Sequence, residues 1–112
     1  MTIKRPPDEK VALYDRLLAT HPGLERKGKN LLYTSVNGHM FTMFSTDAIL
    51  GIRLPTDVRE AFGEEYGSEP FRSYGAVMRE YVAIPDELLA DTDALAPYLK
   101  ASYEYVSSLP PK

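Results

Sequence analysis

Apolar residues recur along this chain with two different periods, and the period changes where turn residues stand. Val11, Tyr14, Leu17 and Leu18 repeat at helical spacing, with His21 at the end of the stripe, so residues 8–21 read as an amphipathic helix. Pro6 and Pro7 close a charged, flexible tail over residues 1–7, Asp8 is placed to cap the helix, and Pro22-Gly23 stops it. After the polar connector 25–30 the period becomes two. Residues 31–36 and 40–45 are β-prone runs on either side of Asn37-Gly38, a pair that tolerates the positive φ of a two-residue hairpin turn. A tight connection at Thr46-Asp47 leads to a third run, where Leu50, Ile52 and Leu54 point one way and Ile49, Gly51 and Arg53 the other.

The second half repeats the alternation of elements. Pro55-Thr56-Asp57 opens a helix with Val58, Ala61 and Phe62 on one face, ended at Tyr66-Gly67. Residues 68–77, with Pro70 and Gly75, read as a loop holding a brief extended piece at Phe71. A fourth strand covers 79–84 and ends at Pro85, which has no ladder donor. After a short acidic turn, Asp91 caps a final helix, with Asp93 in its first turn, where the helix dipole favours negative charge. Leu95, Leu99, Ser102, Tyr103, Val106 and Leu109 form its inner stripe, and Pro110-Pro111 stops it. Each apolar member of that stripe contributes at most roughly 1.5–3 kcal/mol on burial, so the domain depends on this helix. The expected order is α-β-β-β-α-β-α. That is an α+β domain spanning residues 1–112, with helices packed on an antiparallel sheet of about four strands.

Composition narrows the function. At 44% apolar residues the 112-residue chain is an ordinary globular sequence, sized for one domain. A net charge of -3 and a pI near 5.3 lack the broad positive footprint of a dedicated DNA binder. The chain has no Cys, which excludes disulfides, thiolate catalysis and Cys-ligated zinc and fits a cytoplasmic setting. The first ten residues carry charge and no apolar core, unlike a signal peptide, and no apolar run approaches the ~20 residues of a membrane span.

Several segments, in this order, resemble the N-terminal domain of the TfoX/Sxy family. They are Val36-Asn37-Gly38-His39-Met40-Phe41, Ile52-Arg53-Leu54, Asp57-Val58-Arg59-Glu60-Ala61 and Met78-Arg79-Glu80-Tyr81-Val82. Pro85, Leu89-Ala90-Asp91 and Ser108-Leu109-Pro110-Pro111-Lys112 complete the match, which covers almost the whole chain. The resemblance implies an α+β fold and, by the founding members, a role in transcription of competence genes. It departs from the family at Lys27-Gly28-Lys29-Asn30, where members often carry an M-F-G type motif. The family's full-length regulators add a C-terminal domain, so a single-domain relative is expected here.

No residue pattern points to catalysis, a cofactor or a metal. His21 and His39 are the only histidines, and no HxxxH, HxH or HExxH spacing occurs. A protonated His21 would complement a helix C-terminus. The serines lie in no nucleophile elbow, the glycines form no phosphate loop, and the pairs Asp8-Glu9, Glu64-Glu65 and Asp86-Glu87 fall at helix ends. The candidate interaction face is basic: Lys27 and Lys29 before the first strand, Arg53 on the third, and Arg72 and Arg79 around Tyr74. If the third and fourth strands are neighbours, Arg53 and Arg79 share a sheet face with Tyr33 or Tyr81. Arginine beside an aromatic ring can hold a phosphate or stack on a base. The plainer alternative pairs these arginines with Glu80 and Glu69. Tyr14 and Tyr103 fall on apolar stripes and are expected in the core, whereas Tyr98 and Tyr105 lie off the last stripe and are candidates for a partner surface. The expected function is a small regulatory module that binds protein partners, with a homodimer through a strand edge or helix face also open. Nucleic-acid or phosphate binding by the Arg/Tyr face is the alternative.

Overall fold

Prolines set where three of the helices begin. In the computed structural model, which describes residues 6–21, 23–28, 32–45, 48–67, 70–73 and 76–111, Pro7, Pro55 and Pro85 stand extended at φ -55°, -66° and -61°. They precede α1 (Asp8–Leu18), α2 (Thr56–Tyr66) and α3 (Asp86–Leu89). The ring fixes φ, and acidic residues in each following turn complement the helix dipole. Asp8 is therefore not the cap expected of it. It is already helical and makes no capping bond; the Pro7 carbonyl instead accepts the Lys10 and Val11 amides at 2.9 and 3.1 Å. Helix α1 also stops at Leu18, three residues short of the expected end. The Thr20 and His21 amides turn to the Leu17 and Leu18 carbonyls, and the Thr20 hydroxyl bonds the Leu17 carbonyl at 2.6 Å. Asp91 does cap α4 (Thr92–Ser107), accepting the Ala94 amide.

Five strands among the described residues form one antiparallel sheet in the order β1-β2-β3-β5-β4. They are β1 (Tyr33–Val36), β2 (His39–Phe44), β3 (Leu50–Arg53), β4 (Pro70–Ser73) and β5 (Ala76–Ala83). The α+β class and the antiparallel sheet are as the sequence predicts, and two elements are additional. Residues 70–73 form a strand rather than a loop because Phe71 has a place to be buried, described below; α3 occupies the acidic turn. The connection at Thr46-Asp47 lies outside the described residues. At the β1–β2 turn, Asn37 and Gly38 take φ 53° and 81°, the left-handed pair that the hairpin needs.

The β1–β2 pairing steps from Thr34↔Thr42 to Ser35↔Met40, leaving Phe41 without an opposite residue. This bulge puts two consecutive residues, Phe41 and Thr42, fully out of solvent. Phe41 reaches the Tyr103 ring on α4 at 5.8 Å, and Thr42 bonds Tyr14 of α1 at 2.6 Å and Thr34 at 2.5 Å. One core cluster joins α1, α3 and α4 to the sheet through Tyr14, Leu17, Phe44, Ile52, Leu89, Leu95 and Leu99. Beneath α2, Phe62 meets Tyr98 edge-on at 5.1 Å.

The other face of the sheet is covered more thinly. Gly51 lies between Leu50 and Ile52 and so faces away from the main core. A Cβ at Gly51 would come within 2.6 Å of the Phe71 ring. Phe71 thus lies directly over the β3 backbone, 1% exposed, and stacks on Tyr81 at 5.5 Å. Met43, the cross-strand partner of Gly51, is 2% exposed beside them.

Candidate interaction site

The five-strand order decides which basic residues can act together. Lys27 pairs its backbone with Tyr33 beyond the outer edge of β1, and its Nζ reaches the Ser35 hydroxyl at 3.0 Å. Arg72 lies on β4, opposite Val77, at the other edge of the sheet. The structure therefore does not bring Lys27 and Arg72 together. Lys29, Tyr74 and Glu69 lie outside the described residues. Arg53 and Arg79 do become neighbours, because β3 pairs with β5 and Arg53 stands opposite Tyr81.

Arg53 is already engaged. Its Nε and Nη2 donate to Glu80 Oε2 at 2.9 and 2.6 Å, a two-bond grip on one carboxylate oxygen. The Tyr105 hydroxyl of α4 donates to Glu80 Oε1 at 3.0 Å, and the Arg53 guanidinium carbon sits 5.8 Å from the centre of the Tyr105 ring. Desolvation pushes the Glu80 carboxyl up. The bonds from Arg53 and Tyr105, with the charges of Arg53 and Arg59, outweigh it and hold the group below its ordinary value. The Tyr105 hydroxyl shifts upward, chiefly through desolvation and then through its bond to Glu80.

A second arginine joins from α2. Arg59 Nη1 donates to the Arg79 carbonyl at 2.5 Å, and Nη2 donates to the Thr56 hydroxyl at 2.9 Å. Arg79 itself is exposed, and its guanidinium has no carboxylate partner among the described residues. Arg53 and Arg59, from two elements, thus act on the Glu80 carboxylate, and Arg79 lines the same groove. Three arginines against one carboxylate make a local formal charge of about +2 on a chain whose net charge is -3.

These residues border an open groove of about 310 Å³, lined by His39, Met40, Arg53, Met78, Arg79, Glu80 and Tyr81. Its floor is rigid. The Tyr81 hydroxyl donates to the Met40 carbonyl at 2.9 Å, one side of its ring is stacked on Phe71, and burial pushes its pKa up to about 12. His39 Nε2 lies 2.8 Å from the Pro110 carbonyl, which only accepts, so that nitrogen carries the hydrogen. Met40 remains 37% exposed at the groove, and Val77 on the same ribbon as Arg79 is 49% exposed.

Tyr98 and Tyr105 are not free for a partner, contrary to expectation. Tyr98 packs against Phe62 and Tyr66 and donates to Glu65 at 3.3 Å, while Tyr105 is tied to Glu80. Both sit against the core because the sheet and α2 wrap the sides of α4, so a helical stripe drawn on one face underestimates what is covered. His21 does not stand clear at a helix end either; its ring lies 4.5 Å from Tyr103. Arg59, Met40 and Met78 escaped sequence reasoning. Arg59 sits on a polar helix face like any solvated arginine, and only the turn of α2 onto β5 reveals it.

Among the described residues no group of three or more His, Asp or Glu side chains is placed to hold a metal, and no helix is long and apolar enough to cross a membrane. No protein-family model, no curated protein and no solved structure matches the chain.

Proposed function

We propose that the protein is a non-enzymatic regulatory module that works by protein association, as the TfoX/Sxy resemblance suggests, and that the groove between Met40, Met78 and Tyr81 is its contact. The observation that carries this reading is the partition of the site. The polar groups on one side are closed on one another, Arg53 to Glu80 and Tyr105 to Glu80, while the methionines and Tyr81 line an open depression. Flexible thioether side chains on a rigid floor suit a partner's apolar residue. The cysteine-free composition supports a cytoplasmic setting.

Nucleic acid is favoured less by the same geometry. Arg53, the arginine expected to meet phosphate, is neutralised by Glu80, and Tyr81 has one ring face already covered by Phe71. The test is affinity capture from native lysate with and without nuclease, using the parent chain and Met40→Asp/Met78→Asp. Partners that survive nuclease and are lost from the double variant support the reading, provided the variant keeps the parent's melting temperature. Partners that survive the double substitution, or that vanish with nuclease, overturn it.

A further inference from the structure

We infer that the groove selects an acidic-apolar segment of a protein: an aliphatic or aromatic side chain seated on Met40, Met78 and Tyr81, with a neighbouring Asp or Glu held by Arg79. This inference rests on the association reading above and adds the partner's chemistry to it.

The argument is charge complementarity at one place on an otherwise acidic chain. Among the described residues Glu80 is the only carboxylate lining the groove, and two hydrogen bonds from Arg53 and one from Tyr105 engage both its oxygens. It therefore repels an incoming anion weakly. Arg59 spends its donors on a carbonyl and a hydroxyl, neither of which cancels its charge. Arg79 lines the groove with five N–H donors and no anionic partner among the described residues. A carboxylate arriving there meets an unpaired guanidinium reinforced by Arg59, next to an apolar floor. A basic segment would meet the same two charges as repulsion.

The occupant is a peptide rather than a nucleic acid for three reasons. The net charge of -3 opposes a polyanion along its length but not a single side chain. The aromatic rings that could stack on bases are taken, Tyr81 by Phe71 and Tyr105 by Arg53. Methionine side chains match branched and aromatic residues by shape, without a hydrogen-bond code.

The experiment is selection of a displayed library of random peptides on the immobilised full chain, followed by fluorescence anisotropy of the enriched peptides. The expected peptides carry an apolar residue next to Asp or Glu. Arg79→Glu, which breaks no side-chain hydrogen bond or ion pair among the described residues, is expected to weaken them about tenfold or more and to favour Lys-substituted versions. Met78→Asp is expected to abolish binding, and rising salt to weaken it. Enrichment of neutral or basic peptides, indifference to Arg79→Glu, or no enrichment at all overturns the inference. Competition by single-stranded oligo-dT that depends on Arg79 overturns it in favour of nucleic acid. Failure here with partner capture still dependent on Met40 and Met78 removes the acidic specificity and leaves the association reading standing.

Discussion

On the helix side of the sheet, Tyr14, Phe44, Ile52, Leu95 and Leu99 are completely enclosed in one cluster. On the opposite side a single ring, Phe71, lies over Gly51 with Met43 and Tyr81 beside it, and beyond that patch the surface opens into the groove. The first side resembles a domain core; the second is one lid on one missing side chain. Stability and recognition therefore draw largely on different parts of the molecule, joined where Tyr105 of α4 holds Glu80. Substitutions on the two sides should behave differently.

The deepest test is Leu99→Ala. Leu99 is 0% exposed between α4 and the sheet, and truncation should cost about 3 kcal/mol or more in urea unfolding. A loss below about 1 kcal/mol would erase the contrast between the faces. Next comes Gly51→Ala, which adds one carbon where the Phe71 ring already stands. It should cost about 2 kcal/mol by displacing the ring. With Phe71→Ala in the background the same methyl should cost much less, and a double-mutant cycle showing no coupling would contradict the lid.

High pH probes both faces at once. Burial raises Tyr14 on the helix side and Tyr81 on the other to about 12, from an ordinary 10. A raised folded pKa means that the stability from keeping these hydroxyls neutral is intact below pH 10 and is lost as pH climbs from 10 towards 12. The loss should be about 1.4 kcal/mol per pH unit for Tyr14 and less for the partly exposed Tyr81. Tyrosinate absorbance should show Tyr14 and Tyr81 among the late-titrating rings, and Tyr14→Phe should remove one of them. The smallest effect is expected of Arg79→Glu, exposed and unpaired, which should shift stability by less than about 0.5 kcal/mol. A larger shift would mean that the groove rim also holds the fold.

The α+β class, four of the strands, the Asn37-Gly38 turn and the Asp91 cap were legible because each is written in a few adjacent residues. Phe71 was not, since its burial depends on an absent side chain twenty residues earlier, at Gly51. The bulge at Phe41 was equally silent: strict alternation would send Phe41 and Thr42 to opposite faces, and only the step in register buries both. Arg53 and Arg79 could be anticipated as neighbours from strand adjacency. That Glu80 would claim Arg53, and that Arg59 would arrive from α2, depended on tertiary placement that periodicity does not encode. Periodicity is equally silent about Pro97, which lies in the second turn of α4 and withholds one amide from the ladder.

The way α4 crosses the hairpin bears on how the chain is made. Its inner stripe covers β1, β2 and β3 and meets α1, and at and just past its end the Ser107 and Pro110 carbonyls meet Asn37 and His39 at the turn of the first hairpin. During synthesis α1 and the first three strands emerge well before residues 92–107. Until those residues leave the ribosome, Leu17, Phe44 and Ile52 lack the cover that α4 gives them, and the nascent hairpin shows part of its apolar side to the cell. Holding factors that shield the unfinished chain matter most in the interval before α4 arrives.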